Sequence, residues 1–438
     1  MGAPAFGLSP IRPTDGIEAS QFRVKGAACV YPKGANGYLG YPALVAFPHR
    51  GGHMRIALFS EVFLPKIDGI TNRLRHTIEH LVGDGHEVTV FAPQGSLPEH
   101  GGAEVVRIPG VPLPLYPELR ISAPDPRIVL HLLRWDPDLV HVVNPACLGL
   151  WGALAATLLR IPIVASFHTD LPRYLPDYGL GLLEPAIWPL LRRVHGLAHL
   201  NLCPSRFTRD DLHAHGIEPV GIWRGGVDTE LFHPRRRSLE MRERLAGGPV
   251  TGPLLLSVGR LSHEKNLESL LPVLDAHPEA TLAFVGDGPA RATLERAFAG
   301  RHAHFAGFLR GEELATAFAS ADLFLMPSCT ETLGFVVLEA MSAGCPVVAA
   351  RAGGIPDLVV HEETGLLYDP CDPRDLLAAV ASLLQQPGKC RFHARLARKR
   401  AEESTWANET RGLVREYRKA IAIATTGRTW PRIARLVF

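Results

Sequence analysis

The sequence predicts an α/β protein made of two Rossmann-like, doubly wound domains. Its 438 residues exceed what one ordinary hydrophobic core organises and suit two domains of roughly 150–200 residues each. Short apolar runs alternate with amphipathic helical patterns, which is typical of buried parallel strands connected by helices. This alternation occurs twice, and a polar stretch near residues 225–252 separates the two series.

The first series begins with a buried strand at residues 55–60, in which Ile56–Phe59 is continuously apolar. Apolar residues at helical spacing then predict a helix over 71–83 that ends on Gly83. Ser205 is placed to cap a helix that follows the last strand of this series. The further strands predicted here span 87–92, 105–108, 138–143, 163–167 and 200–204.

Residues 148–167 are apolar and about long enough to cross a bilayer. Arg160 and Pro162 interrupt the segment, and the residues after Pro162 have strand character. We therefore expect a helix, a short turn and a buried strand here, and no membrane crossing.

The second series starts at Leu254–Val258. We expect a last helix over about 406–423 to pack back on the first domain. The predicted organisation is a leader (1–53), an N-terminal domain (54–225), a C-terminal domain (226–405) and a helical tail (406–438). Two such halves place a ligand cleft between the carboxyl ends of their strands. The remaining strands of the second series are predicted at 281–285, 304–306, 323–326 and 346–349.

Residues 1–53 show no sustained hydrophobic period and are rich in Gly, Pro and Ala. Two interpretations are open. Either Met54 is the natural start and the preceding residues are a wrongly assigned extension, or the segment is a genuine and mostly disordered leader. We favour the first.

Composition excludes several classes of protein. The formal net charge of +2 gives no global field for nucleic acid, and we interpret the local basic clusters as solvated helix faces. The 7 cysteines are scattered and include no Cys-x-x-Cys pair, which favours reduced thiols in the cytoplasm over disulfides or a zinc site. Asp136 and Asp138 form an Asp-x-Asp pattern, but it precedes a strand, so we predict no metal site and no cofactor.

The strongest chemical pattern surrounds two glutamates, Glu331 and Glu339. A buried strand ends at Pro327, a polar loop follows, and a helix is expected to begin near Gly334. Free backbone N–H groups at a helix start favour anionic oxygen. Glu331 is placed to accept hydrogen bonds from sugar hydroxyls and Glu339 from both hydroxyls of a ribose. The alternative is an ordinary helix acid beside an exposed acid.

Two cations follow the first strand of the second half, Arg260 and Lys265. Cations fixed at a strand end neutralise a diphosphate leaving group without proton transfer or metal. A solvated loop pair is the alternative. Gly353 and Gly354 follow a later strand, and we expect their bare backbone to approach the ligand.

In the first half, Gly69 lies between the first strand and its helix, where doubly wound folds cover phosphate. The surrounding residues are not Gly-x-Gly-x-x-Gly, which weighs against a dinucleotide dehydrogenase. His168 ends a buried strand and is therefore expected at the cleft.

Together these segments resemble the retaining glycosyltransferases of family four, which have the GT-B fold. The resemblance covers about residues 54–420. The matching segments are Phe59-Ser60-Glu61, Asp68-Gly69, Ser166–Asp170, Gly259–Asn266, Gly286–Pro289, Glu331-x7-Glu339 and Ala352–Pro356.

The resemblance implies that the donor cleft lies between the two domains and that no metal is needed. It implies catalytic roles for His168, Arg260, Lys265 and Glu331. It also implies that the donor is bound by Gly69, Arg260, Lys265, Glu331, Thr332, Leu333, Gly334 and Glu339. Because the family often carries Gly-Gly where this chain has Asp68-Gly69, the phosphate contact of that loop stays open.

Residues Trp223–Pro234 look most like the branch that contains sulfoquinovosyldiacylglycerol synthases and the lipid-directed α-mannosyltransferases of actinobacteria. That branch implies transfer of a hexosyl group from a UDP-sugar, or alternatively GDP-mannose, to a membrane lipid or lipid-linked glycan. We expect a cytoplasmic enzyme that contacts the anionic inner face of the plasma membrane through 174–193, with Trp188 beside Arg192 and Arg193. An ordinary core helix is the alternative for that segment.

Two further functions remain open from the residues. One is a nucleotide-sugar epimerase or phosphorylase, although a phosphorylase needs a pyridoxal-bearing Lys and Lys is scarce in the second half. The other is a nucleotide-sugar-binding protein without turnover.

Overall fold

The computed structural model describes residues 52–66, 68–113, 116–168 and 184–426. All described helices and strands lie in one compact unit, His53–Phe438. The leader predicted over 1–53 lies outside the described residues, apart from Gly52 and His53.

The first half is built on an eight-stranded sheet. Its strands are β1 (Arg55–Phe59), β2 (Glu87–Pro93), β3 (Glu99–His100), β4 (Ala103–Ile108), β7 (Leu139–Val142), β8 (Ile163–Ser166), β9 (Leu200–Cys203) and β10 (Val220–Ile222). Their spatial order is β10-β9-β8-β7-β1-β2-β4-β3, and all neighbours are parallel except β3 and β4. A separate antiparallel hairpin consists of β5 (Gly110–Leu113) and β6 (Tyr116–Ser122).

In the described part of the first half, this sheet is accompanied by α1 (Gly69–Gly83), α2 (Pro126–Trp135), α3 (Cys147–Leu159), α4 (Glu184–His195) and α5 (Arg206–Ala214). Asp68 starts α1, because its carboxylate accepts the backbone N–H of Thr71 at 2.8 Å. The helix, turn and strand predicted over 148–167 are confirmed as α3 and β8. No helix in the described ranges is both long and apolar enough to cross a bilayer.

The second half contains a six-stranded parallel sheet. Its strands are β11 (Leu254–Val258), β12 (Thr281–Val285), β13 (Ala303–Gly307), β14 (Leu323–Met326), β15 (Val347–Ala350) and β16 (Leu366–Tyr368), in the order β13-β12-β11-β14-β15-β16. Its helices are α6 (Leu239–Ala246), α7 (Leu271–Ala276), α8 (Arg291–Ala297), α9 (Gly311–Ser320), α10 (Phe335–Ser342), α11 (Pro373–Gln385) and α12 (Pro387–Glu403).

The polar stretch between the two series contains a helix that the sequence pattern did not predict. In α6, Ser238 accepts the N–H of Met241 at 3.3 Å, and Met241 and Leu245 are buried against the second sheet. Two buried apolar residues in an eight-residue helix are too few to establish a helical period.

The last helix, α13 (Trp406–Thr425), follows the second sheet but packs on the first half. It lies against α1, β8 and β9. Tyr417 is fully buried there, with its hydroxyl 2.7 Å from Nδ1 of His141 in β7. This helix therefore belongs structurally to the first half.

In each sheet the order of the strands reverses once, between β1 and β7 in the first and between β11 and β14 in the second. Ligands of doubly wound proteins bind beside the carboxyl ends of strands at such reversals. The predicted fold class, two doubly wound parallel α/β halves, is confirmed. The sequence missed β10 and β16, which have three residues each and are too short to show a pattern.

Candidate active site

A cavity of about 280 Å³ opens at the strand reversal of the second sheet. Its walls come from the residues after β11, including Arg260 and Lys265, and from those after β14, including Glu331. Gly69, at the start of α1, closes the cavity from the first half. Four residues predicted from separate segments of the sequence therefore meet in one space.

A second cavity, of about 470 Å³, adjoins the first, because Gly69, Phe335 and Val336 line both. Glu339 lies in its wall, one turn into α10. Both halves contribute to this cavity, which suits a ligand that extends along the cleft.

Lys265 and Glu331 form an ion pair in the first cavity. The ammonium nitrogen Nζ of Lys265 lies 2.5 Å from Oε1 of Glu331, and their side chains are only 22% and 16% exposed. Arg260 is exposed and makes no hydrogen bond or ion pair with another described residue. The two predicted phosphate ligands are therefore not equivalent, since one is already partly neutralised by Glu331.

Glu339 is a half-buried acid with no hydrogen-bond partner among the described residues. Burial raises the pKa of its carboxyl group to about 7. A carboxyl group whose desolvation is not offset by a partner is unfavourable in the free protein, and such groups concentrate at ligand sites. Ribose hydroxyls would supply the missing partners.

The loop between Glu331 and α10 is shaped by packing. Gly334 has a φ of 93°, a conformation that favours glycine, and it precedes the first residue of α10. The side chain of Leu333 is buried in the core, and Thr332 Oγ1 donates to the carbonyl oxygen of His168 at 3.4 Å. Thr332, Leu333 and Gly334, predicted to bind the donor, do not line either cavity.

Gly353 and Gly354 support that loop, whereas the sequence suggested a direct approach to the ligand. The N–H of Gly354 donates to the carbonyl oxygen of Glu331 at 2.8 Å. A Cβ atom on Gly353 would collide with the carbonyl oxygen of Glu331, and one on Gly354 with that of Thr332. The glycines allow the Glu331 loop to pack closely, and their contact with a ligand stays a prediction.

His168 lies at the carboxyl end of β8, where the sequence placed it, but outside the walls of both cavities. Its Nδ1 atom is 2.8 Å from Nη1 of Arg73. Arg73 is 3% exposed and lies between the rings of Trp223 and Phe335, with its guanidinium carbon 4.9 Å and 5.2 Å from their centroids. Burial is the main reason that the pKa of Arg73 falls to about 10.

Sequence reasoning missed Arg73, because arginine on a helix is normally solvated. A signal was present. Arg73 precedes Thr77 and Leu81 by four and eight residues, so it lies on the same inward face of α1, and all three are buried. Phe335 and Trp223 come from other elements and gave no pattern of their own.

A third cavity, of about 580 Å³, opens at the carboxyl ends of β1 and β2 in the first half. Its polar walls include Lys66, Gln94 and Arg120. Glu61 also lines it and accepts the backbone N–H of Gly149 at 3.0 Å, although burial raises the pKa of its carboxyl group to about 7.

Trp188 does not face solvent as expected for a membrane-contacting residue. It is 8% exposed and stacks on His215 with ring centroids 3.5 Å apart. That expectation is wrong for Trp188, while Leu190, Arg192 and Arg193 of the same helix are exposed. Residues 174–183 of the predicted contact lie outside the described residues.

Within the described ranges, no group of three or more His, Cys, Asp or Glu side chains has an arrangement that would hold a metal ion. The segment Asp136-Pro137-Asp138 forms the predicted turn before β7. Asp136 ends α2 in a left-handed conformation, and Asp138 accepts the backbone N–H of Arg55 at 2.8 Å.

Comparison with known proteins identifies the family. The description "Glycosyltransferase Family 4" matches residues 67–231, and "Glycosyl transferases group 1" matches residues 245–401. The sulfoquinovosyl transferase of Arabidopsis thaliana is 42% identical over 366 residues, which are 81% of this chain and 72% of the relative. A GDP-mannose-dependent alpha-mannosyltransferase of Corynebacterium glutamicum is 35% identical over 377 residues, which are 85% of this chain and 90% of the relative.

The fold also matches solved structures. A sucrose-phosphate synthase of Thermosynechococcus elongatus superposes with a TM-score of 0.69 at 22% identity, covering 84% of this chain and 100% of that structure. The predicted GT-B architecture is thus confirmed. The chain belongs to glycosyltransferase family 4 and is a hexosyltransferase that uses a nucleotide-sugar donor.

Proposed function

We propose that the enzyme transfers a hexosyl group, with retention and without a metal, from a UDP-sugar to a membrane lipid or lipid-linked acceptor. The observation that carries the donor part is the convergence of Arg260, Lys265, Glu331 and Glu339 on two adjoining cavities. GDP-mannose is the alternative donor, supported by the 35% identity to the GDP-mannose-dependent relative.

In this proposal the donor lies along both cavities. Glu339 accepts hydrogen bonds from the ribose hydroxyls in the larger cavity, which supplies the partners that its carboxyl group lacks. The diphosphate lies near Arg260 and the start of α1 at Gly69, and the sugar contacts Glu331. His168 lies near the reacting carbon.

Transfer breaks the bond between the anomeric carbon and the leaving phosphate oxygen and forms a bond from that carbon to the acceptor oxygen. Retention follows if both events occur on one face of the sugar, and the leaving phosphate oxygen then takes the acceptor's proton. Arg260 and Lys265 stabilise the negative charge that develops on the diphosphate, so a divalent ion is not required. Lys265 shares its charge between Glu331 and the phosphate.

We propose the third cavity as the site of the acceptor headgroup. The loop after β1 separates it from the donor cavities, since Lys66 lines the headgroup side and Gly69 the donor side. Lys66 and Arg120 give this cavity positive charge, which suits an acceptor with phosphate or many hydroxyls. The similarity of Trp223–Pro234 to lipid-directed enzymes supports a lipid as that acceptor.

Contact with an anionic membrane is proposed for the exposed side of α4. Leu190 is 57% exposed there, beside exposed Arg192 and Arg193. Each basic residue near an anionic surface contributes roughly 1 kcal/mol, so this patch supports transient docking of a cytoplasmic enzyme.

The donor is tested by thermal unfolding with UDP-, GDP- and ADP-sugars, since only a bound donor raises the melting temperature. Turnover is then followed as release of nucleoside diphosphate in EDTA, with lipid and water-soluble acceptors in parallel. Loss of activity in EDTA that Mg²⁺ or Mn²⁺ restores contradicts metal independence.

Flotation with anionic liposomes at low and high salt tests membrane contact. Efficient transfer to a water-soluble acceptor without liposome binding contradicts the lipid proposal.

A further inference from the structure

We propose that Arg73 fixes His168 as a neutral imidazole with its proton on Nε2, which donates to an oxygen of the bound sugar. His168 is then a hydrogen-bond donor in the reaction and not its general base. Arg73 is a positioning residue, because it acts through His168. The role in the reaction rests on the proposed function, whereas the position of the proton does not.

The first step of the argument concerns the hydrogen bond between the two residues. A guanidinium group carries five N–H donors and no acceptor. At 2.8 Å from Nη1 of Arg73, Nδ1 of His168 must therefore accept, and a neutral ring has its proton on Nε2. The same Nη1 lies 3.4 Å from the carbonyl oxygen of Trp223, which helps to fix the guanidinium.

The second step concerns the free end of the ring. Nε2 of His168 is buried and has no hydrogen-bond partner among the described residues. A buried N–H group without a partner is uncommon in folded proteins, and at the carboxyl end of a strand of a doubly wound sheet it is placed where ligands bind. The carbonyl oxygen of His168 accepts from Thr332, the neighbour of Glu331, so the backbone of His168 contacts the loop that lines the donor cavity.

The third step concerns charge. Burial, Arg73 and then His141 hold the pKa of His168 well below its ordinary value, so the ring stays neutral at physiological pH. Glu409 of α13 and Cys203 of β9 also act on Arg73. Its lowered pKa of about 10 still leaves Arg73 a cation at neutral pH. The basic nitrogen of His168 faces this cation, so it is poorly placed to remove a proton from an acceptor hydroxyl.

Arg73 also links this arrangement to the second half. Its guanidinium packs against Phe335, the first residue of α10, which lines both donor cavities. The residue that orients His168 therefore contacts the helix that carries Glu339. The attraction of the Trp223 and Phe335 rings for the cation offsets part of the cost of burying it.

The direct test is long-range ¹H–¹⁵N NMR of the full-length protein with labelled histidines, in which His168 is assigned by the signals lost in His168→Gln. We expect the Nε2–H tautomer in the wild type, unchanged from pH 8 to pH 5. In Arg73→Met we expect a mixture of tautomers and a higher pKa. Arg242→Met is the control, because it removes another largely buried arginine, paired with Asp322 at 2.9 Å, far from His168 in the second half. A proton on Nδ1 in the wild type overturns the proposal.

The second test uses nucleoside diphosphate release from the donor that stabilises the protein. His168→Ala should lower kcat roughly 10²-fold, the scale of one lost electrostatic donor. The kcat of His168→Gln should be about tenfold higher than that of His168→Ala, because the amide N–H₂ of glutamine reaches the place of Nε2. This amide cannot act as a base. Equal loss in both variants argues for a base and contradicts the proposal.

A double-mutant cycle separates positioning from general stability. Arg73→Met should lower kcat about tenfold in the wild type but less than about threefold in His168→Ala, because coupled residues are not additive. Independent, additive losses contradict the proposal. If no nucleotide sugar is turned over, the proposed transfer reaction is contradicted. The NMR result still decides the tautomer of His168.

Discussion

The carboxylate of Glu331 accepts a hydrogen bond from the ammonium group of Lys265 at 2.5 Å, across 66 residues of sequence. Each residue limits what the other can do. Lys265 holds Glu331 in one orientation, and Glu331 keeps the Lys265 ammonium at the cavity wall. In the proposed donor complex, the diphosphate competes with Glu331 for Lys265 or shares the ion pair with it.

Lys265→Ala should lower the rate of nucleoside diphosphate release by roughly 10²–10³-fold, because it removes one stabiliser of the leaving group. It also leaves Glu331 without a cationic partner, so a weaker donor affinity is expected. The measurement is steady-state kinetics in EDTA. Lys399→Ala, an exposed lysine on α12, is the control. A change of less than about threefold would assign Lys265 to the solvated surface.

Gly69→Leu should block donor binding without destabilising the fold. A Cβ atom at Gly69 meets no atom within 4 Å, so a side chain there extends into the cleft. Gly83→Leu is a matched control on the same helix, since its Cβ also meets nothing within 4 Å and it lies at the exposed end of α1. We expect a loss of affinity of at least about tenfold, or roughly 1.4 kcal/mol, for Gly69→Leu only. Titration calorimetry with the donor decides this, and equal affinities would show that the donor avoids Gly69.

Glu339→Gln should stabilise the free protein in a pH-dependent manner. Folding raises the pKa of the Glu339 carboxyl group from 4.5 to about 7, so the folded state binds this proton more tightly than the unfolded state. The wild type therefore loses stability as the pH rises from 4.5 to 7, because the Glu339 carboxyl group ionises in the unfolded state first. The glutamine of the variant does not ionise, so the variant does not lose this stability.

Melting temperatures at pH 5, 6, 7 and 8 test this. The advantage of Glu339→Gln over the wild type should grow up to about pH 7 and then level off. Glu240→Gln, at an exposed position of α6, should show no such trend. Donor affinity should fall in Glu339→Gln, because the neutral amide is a weaker acceptor for ribose hydroxyls. A difference that does not vary with pH would contradict the assigned protonation.

Gly354→Ala should displace the Glu331 loop. Its Cβ atom would collide with the carbonyl oxygen of Thr332, although the φ of Gly354, −80°, suits any residue. Overpacking of this kind costs typically about 1–3 kcal/mol. Urea unfolding and donor titration should both show a loss, while Gly388→Ala, where a Cβ meets nothing within 4 Å, should change neither. Unchanged donor affinity in Gly354→Ala would mean that the loop accommodates the added Cβ atom without displacing Glu331.

The sequence by itself determined the βαβ series and the positions of Gly69, Arg260, Lys265, Glu331 and Glu339. These inferences hold because buried parallel strands are continuously apolar, and because ligands of doubly wound folds bind where such strands end. The sequence did not predict short elements such as α6 and β16, because a few residues show no hydrophobic period.

Only the tertiary structure decided which side chains touch. Arg73 and His168 are 95 residues apart, and their contact depends on where the fold places α1 relative to the carboxyl end of β8 and on the rings beside the arginine. Trp188 looked equally suited to a membrane surface and to a core, and packing against His215 placed it in the core. Periodicity reports which face of an element is buried, whereas the partner of a buried polar group is set by the crossing of distant segments.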